Sequence, residues 1–257
     1  MVNRQIDVMA ELQNAFSVLF KNWVLAVPTA VVYLITAVLF FFVLAGAFAP
    51  LMAMSMGGAA MNQNPQAAMA ALAAAGPAFA IFFIVFILLV LLAQAVVIGG
   101  AEHVWHGEPP DLAGGISKAS SKLPQLIILF FIAAVLSVIC GVLVLALGLG
   151  VLLGIVLFFF FMYTLPAIVV GNEGALQAMG TSARLVRANF GPSLMAFLAI
   201  FVVNLIAGFI LQIFVHMIPL LAVVANLVIG GLTSAFAALV IVRFYDLLRA
   251  STPQVAP

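Results

Sequence analysis

Residues 125–170 form one run of 46 residues without a single charged side chain. As one helix this run would extend about 69 Å at 1.5 Å per residue, twice the ~30 Å thickness of a bilayer's hydrocarbon core. It must fold back, and Gly148-Leu149-Gly150 is the glycine-flanked turn near its middle. The run therefore reads as two spans, 125–147 and 150–170. Four more stretches meet the same requirement of about 20 apolar residues: 24–49, 78–100, 193–216 and 220–243. The first ends in Ala47-Phe48-Ala49, which mimics a signal-peptide cleavage site. Its 26 residues exceed a signal core of about 7–15, and 23 polar and amphipathic residues precede it. It reads as a permanent span.

Composition agrees. The chain is 67% hydrophobic and 6% charged, with a mean hydropathy of +1.39, whereas soluble domains carry roughly a quarter charged residues. A soluble globular enzyme, a disordered chain and a nucleic-acid binder are excluded. The net charge of +1 offers no electrostatic footprint for an acidic partner. The expected fold is all-α: a polytopic membrane protein of six transmembrane helices in three helical hairpins, forming a single integral membrane domain over 1–257. Lone Cys140 lies in an apolar run, where cysteine usually serves as a small hydrophobe.

Charge sets the expected orientation. Arg4 and Lys21 precede the first span, Lys118 and Lys122 lie between spans two and three, Arg184 and Arg187 between four and five, and Arg243 and Arg249 follow the sixth. The other three connections carry no Lys or Arg. The positive-inside rule then places both termini in the cytoplasm. Trp23, Trp105 and Tyr245 sit near span ends, as interfacial aromatics do.

Each basic segment before an odd-numbered span has helical amphipathic spacing. In the first, Met9, Leu12, Phe16, Leu19 and Trp23 oppose Asp7, Glu11, Asn14 and Lys21. In the second, Leu112, Ile116, Ala119 and Leu123 oppose Ser117, Lys118, Ser121 and Lys122. In the third, Leu176, Met179, Ala183, Val186 and Phe190 oppose Gln177, Thr181 and Arg184. Val18 and Leu185 break the pattern on the polar faces. Three cytoplasmic interfacial helices are expected, apolar face toward the membrane. The chain then reads either as three copies of one unit (interfacial helix, span, outer turn, span) or as three unrelated juxtamembrane helices.

The segments Phe160–Val169, Glu173–Met179 and Ser182–Phe190, with the loop Gly107–Leu112, resemble a known cluster. These are uncharacterised six-helix bacterial inner-membrane proteins of the YciC type. That cluster is similar to the membrane domain attached to some glycerophosphodiester phosphodiesterases. The resemblance implies a bacterial inner-membrane location and no established activity. No polar segment here is long enough to hold a phosphodiesterase domain.

Polar residues inside the spans are few. Asn204, Gly208 and Gln212 follow at four-residue steps with His216 one turn on, and Asn226, Gly230 and Ser234 do so in the last span. A turn centred on Pro219 would pair Gln212 with Asn226, Gly208 with Gly230, and Asn204 with Ser234, with Gln94 available to join them. This set is either a polar path or hydrogen-bonding glue between helices. His103 and His106, near Glu102, Glu108 and Asp111, are candidate zinc ligands, or else a solvated helix end. Met52, Met54 and Met56 offer thioethers suited to Cu(I), or else adaptable packing. A short outer helix over Ala67–Ala75 is expected to stop at Gly76-Pro77.

The spans hold no mid-membrane Asp, Glu, Lys or Arg, and no acid pair, GxSxG elbow or phosphate-binding glycine loop is present. The expectation is a non-catalytic membrane protein with an accessory, assembly or envelope-organising role and no cofactor. Its partners would be membrane lipids and either a partner membrane protein or further copies of itself. The alternatives are a passive transporter, channel or lipid-handling protein, and a protein that handles copper or zinc.

Overall fold

The computed structural model describes residues 7–56, 65–147, 149–217 and 219–252. Among them are ten α-helices, one short 3-10 turn and no strand. The helices are α1 (Val8–Lys21), α2 (Val27–Met56), α3 (Pro65–Trp105), α4 (Leu112–Ser121), α5 (Leu123–Leu147), α6 (Gly150–Phe161), α7 (Thr164–Val169), α8 (Ala175–Ala188), α9 (Phe190–Met217) and α10 (Pro219–Ser251). Six segments are long and apolar enough to cross a membrane: Trp23–Gly46, Gly76–Trp105, Leu123–Val144, Gly150–Val169, Phe190–His216 and Leu221–Ser251. The chain divides into two compact units, Met1–Ala30 with Leu91–Pro257, and Val31–Val90.

Three elements differ from expectation. No break occurs at Gly76-Pro77: α3 runs through Pro77 without interruption. Proline removes the bond to the carbonyl four residues back, but an alanine-rich approach of the highest helix propensity carries the helix across. The fourth span is not one helix but two, α6 and α7, with Met162 and Tyr163 between them. Pro166 cannot donate to the Met162 carbonyl, and Ser182 of α8 bonds two other backbone groups beside the break. Its Oγ accepts from the Tyr163 N–H at 3.1 Å and donates to the Phe160 carbonyl at 2.8 Å. Finally, α10 continues to Ser251 instead of ending near 243, because no helix breaker intervenes and Phe244, Tyr245 and Leu248 are fully buried.

The short helices form where amphipathic spacing indicated, and their ends are well specified. Asp7 caps α1 by accepting from the Ala10 N–H at 3.0 Å, and Asp111 caps α4 by accepting from Gly114 at 2.8 Å. Helices α1 and α8 both end on an asparagine in nearly the same conformation, Asn22 at φ −122°, ψ 43° and Asn189 at φ −130°, ψ 50°. Each amide donates to the carbonyl four residues earlier, Val18 at 3.0 Å and Leu185 at 3.2 Å.

The apolar faces of these helices are shared between two surroundings. Leu12, Leu19, Ala119, Ala178 and Val186 are buried within the protein, whereas Met9, Ile116, Leu176 and Phe190 are exposed. Leu185, out of place in the amphipathic reading, is buried in the core, and Val18 packs against it. The core of this unit lies around the second half of α10. Phe236, Leu239, Val240, Phe244 and Tyr245 are fully enclosed, while Leu221, Val223, Val224 and Val228 in the first half are exposed. Helix α4 crosses α3 at Gly115 and Gly99, so close that a Cβ on Gly115 would stand 2.5 Å from the Val96 carbonyl. In the other unit, Phe40 and Phe82 join α2 to α3 with ring centroids 5.4 Å apart.

Candidate functional site

Three polar assemblies stand out. The first gathers charges where the short helices meet the ends of α3 and α10. Arg243 of α10 holds Glu11 of α1 with two parallel bonds, Nε to Oε2 at 2.8 Å and Nη2 to Oε1 at 3.0 Å. Such planar forks are the strong form of ion pair. The same guanidinium lies over the Trp105 ring, 5.0 Å from its centroid. The indole N–H of Trp105 donates to the Leu239 carbonyl at 3.1 Å. One arginine thus ties α1, α3 and α10 together. Lys118 of α4 pairs with Glu102 of α3 at 2.6 Å, Lys122 donates to the side-chain oxygen of Asn172, and Asn189 reaches Thr252 at 3.2 Å. Asn172 has φ 59°, in the left-handed region that asparagine tolerates.

The second assembly lies within the apolar layer. Ser234 of α10 meets Thr29 of α2, Oγ to Oγ1 at 2.7 Å, and accepts from Gln94 Nε2 of α3 at 2.6 Å. Thr29 and Ser234 are buried. Three apolar helices converge on one hydroxyl, and every bond is made within the protein, which is the arrangement of interhelical glue.

The third is a stripe left uncovered. Asn204, Gln212 and His216 of α9 are exposed, as is Asn226 of α10. A Cβ added to Gly208 would meet open space. None of the pairings anticipated across the last two spans forms. Asn204 donates instead to the Ile200 carbonyl of its own helix at 2.9 Å, and the His216 ring bonds the Gln212 carbonyl at 2.7 Å. Axial level predicts who stands beside whom, but phase decides who faces whom. The covered face of α9 runs through Ser193, Ala196, Ile200 and Ala207. Val203, the residue before Asn204, packs on that face too. A step of one residue turns a side chain by about 100°, enough to carry the amides off the interface.

Each ring of the histidine pair lies against a backbone carbonyl of α3. His103 Nδ1 lies 3.3 Å from the Gly99 carbonyl and His106 Nδ1 2.9 Å from the Glu102 carbonyl. Among the described residues, no three or more His, Cys, Asp or Glu side chains are grouped as metal ligands. The thioethers of Met52, Met54 and Met56 lie outside the described side chains. Sequence reasoning missed Thr29, Arg243 and Ser182 as connectors. A lone hydroxyl in an apolar run, or one cation beyond it, carries no period to announce its partner.

Among the described residues these features define an all-helical protein with six segments long and apolar enough to cross a membrane, together with short amphipathic helices. The profile of a domain of unknown function, DUF7847, matches residues 112–248, more than half of the chain, and the chain belongs to that family. The matched stretch begins at the first residue of α4 and ends within α10. No curated protein and no solved structure matches the chain.

Proposed function

We propose that this protein is a non-catalytic, multi-pass assembly component of the bacterial inner membrane, with its termini in the cytoplasm. It organises a complex by presenting α9 to another membrane helix. The observation that carries this reading is the uncovered stripe of Asn204, Gln212 and His216 along α9. Polar side chains in spanning helices almost always face protein or water, because hydrocarbon offers them no partner. Asn204 leaves its Oδ1 free after satisfying one donor within its own helix. Gly208, in the middle of the stripe, gives a second helix room to approach. The eight Lys and Arg residues flanking alternate spans, and the likeness of residues 160–190 to six-helix inner-membrane proteins, support the location and orientation.

The test is native mass spectrometry of protein taken directly from its membrane into nanodiscs, combined with oxidative cross-linking of Gly208→Cys in a Cys140→Ser background. A second protein mass, or a disulfide-linked pair of this chain, is the expected result. Either should be lost in an Asn204→Leu/Gln212→Leu variant. A bare monomer together with no cross-link would overturn the proposal.

A further inference from the structure

Arg187, in the last turn of α8, lies against aromatic rings and has no anion beside it. Its guanidinium stands over the Phe160 ring of α6, 5.8 Å from the centroid. A phenyl face attracts a cation but offers no acceptor for its N–H groups. Among the described residues the two ion pairs engage Lys118 and Arg243, while Arg187 is exposed and has no hydrogen-bond partner. The neighbouring sequence supplies no carboxylate either, since residues 174–245 contain no Asp or Glu.

The ring under Arg187 is the first of a connected row. Phe160 meets Phe159 with centroids 5.5 Å apart, and Phe159 meets both Phe190 and Phe197 of α9 at 5.5 Å. Phe197 in turn meets Phe158 at 6.0 Å and stacks on Phe201 at 6.2 Å. Helical phase agrees with these contacts, for Phe190, Phe197 and Phe201 fall within about 40° of one another around α9. Phe158, Phe190 and Phe201 are exposed, and Phe159 is buried beneath them. From Phe190 to Phe201 the row runs about 16 Å along the axis. One leaflet's hydrocarbon depth is ~15 Å. The row is thus an apolar surface of that length with a cation at one end.

We infer that this row holds an anionic phospholipid, with its phosphate at Arg187 and one acyl chain along Phe190, Phe197 and Phe201. A guanidinium matches a phosphate through its fork of N–H donors. A free phosphate or an acidic peptide would answer Arg187 alone and find no polar partner along the rings. A fatty tail needs only contact there. A zwitterionic headgroup carries its own cation beside the phosphate, so a net anionic one gains more from Arg187. Phe201 precedes Asn204 by one turn, so lipid and partner helix occupy successive lengths of α9. The inference does not rest on the partner.

The experiment uses the full chain in nanodiscs of phosphatidylethanolamine, doped with phosphatidylglycerol carrying a diazirine midway along one acyl chain. After irradiation, label is expected to concentrate on peptides containing Phe197 and Phe201. Unlabelled phosphatidylglycerol should compete about fivefold better than phosphatidylcholine, the worth of one cation near the membrane surface. Arg187→Gln should cut the label about fivefold and abolish that preference, while label near exposed Phe131 stays unchanged. Arg184→Gln removes the same charge from the same helix, but Arg184 bonds Thr181 instead of facing a ring, so label and preference should persist. Phe201→Ala should thin the label and keep the headgroup preference. Unchanged helical circular dichroism certifies the fold of each variant. Asn204→Leu/Gln212→Leu should keep the label, which separates this site from the docking surface beyond it. Equal losses in Arg184→Gln and Arg187→Gln would reduce the effect to general surface attraction and overturn the inference. Label spread evenly over all exposed apolar peptides would overturn it too.

Discussion

Ser182 illustrates how much a single hydroxyl can carry. It is wholly buried at the break between α6 and α7, accepting from one backbone group and donating to another. Ser182→Ala should leave a buried N–H and a buried carbonyl unsatisfied, lowering stability by about 1–3 kcal/mol. Ser182→Thr, which keeps the hydroxyl, should lose less. Denaturation in mild detergent, followed by circular dichroism, measures both. Arg243 is the corresponding residue among the charges. Arg243→Met should release α1 from α10 and leave Glu11 without its fork, so proteolysis within residues 8–21 should accelerate several-fold. Neither partnership was legible in the sequence. The amphipathic pattern gave Glu11 a place on the polar face of α1, but the distance to Arg243 is 232 positions, and no local period spans it. The polar residues that did stand out, Asn204 and Gln212, drew attention because amides are rare in such runs. Their partners were misassigned because an asparagine on a helix can satisfy itself on the carbonyl one turn back.

At the scale of elements, hydropathy placed the six segments long and apolar enough to cross a membrane within a few residues at most ends, since a run of about 20 apolar residues leaves little freedom in its bounds. The errors fell where a local signal met tertiary context. Proline at 77 did not stop α3, whereas the fourth span breaks four residues before proline 166, where the Tyr163 N–H turns to Ser182. The matching asparagine ends of α1 and α8 each precede an aromatic residue, Trp23 and Phe190. Asn189→Ala should fray the end of α8 by about 0.5–1.5 kcal/mol, seen as faster amide exchange at Val186 through Asn189. The crossing of α3 and α4 is the tightest contact of a short helix with a long one. Gly115→Val would drive a side chain into the Val96 carbonyl, so α4 must lift off. A loss of about 1–3 kcal/mol is expected, with Ser120→Cys as a label reporting the displaced helix.

At the scale of the molecule, the distribution of charge predicts an experiment that needs no knowledge of the ligand. In the Cys140→Ser background, Ser120→Cys on α4 and Arg184→Cys on α8 should react with a membrane-impermeant maleimide only from the cytoplasmic side. Leu149→Cys, at the opposite end of α5 and α6, should react only from the other. Reversal of this pattern would invert the topology, and mixed labelling would deny it a fixed sense. Buried contacts are unevenly spread along the chain. The second half of α10 is the axis on which α1, α2, α3, α7, α8 and α9 converge, through Glu11, Thr29, Gln94 and Trp105 among others. Yet α10 follows every one of those elements in the chain. During synthesis the earlier helices are made before their common axis exists, with Gln94 and Thr29 lacking their shared hydroxyl and α1 lacking its anchor. The core around α10 cannot close until that helix is made, and it does not build up progressively with the elements before it. A stall just before residue 219 would leave the earlier helices without their common axis, a state with a lifetime and with its own exposure to quality-control proteases.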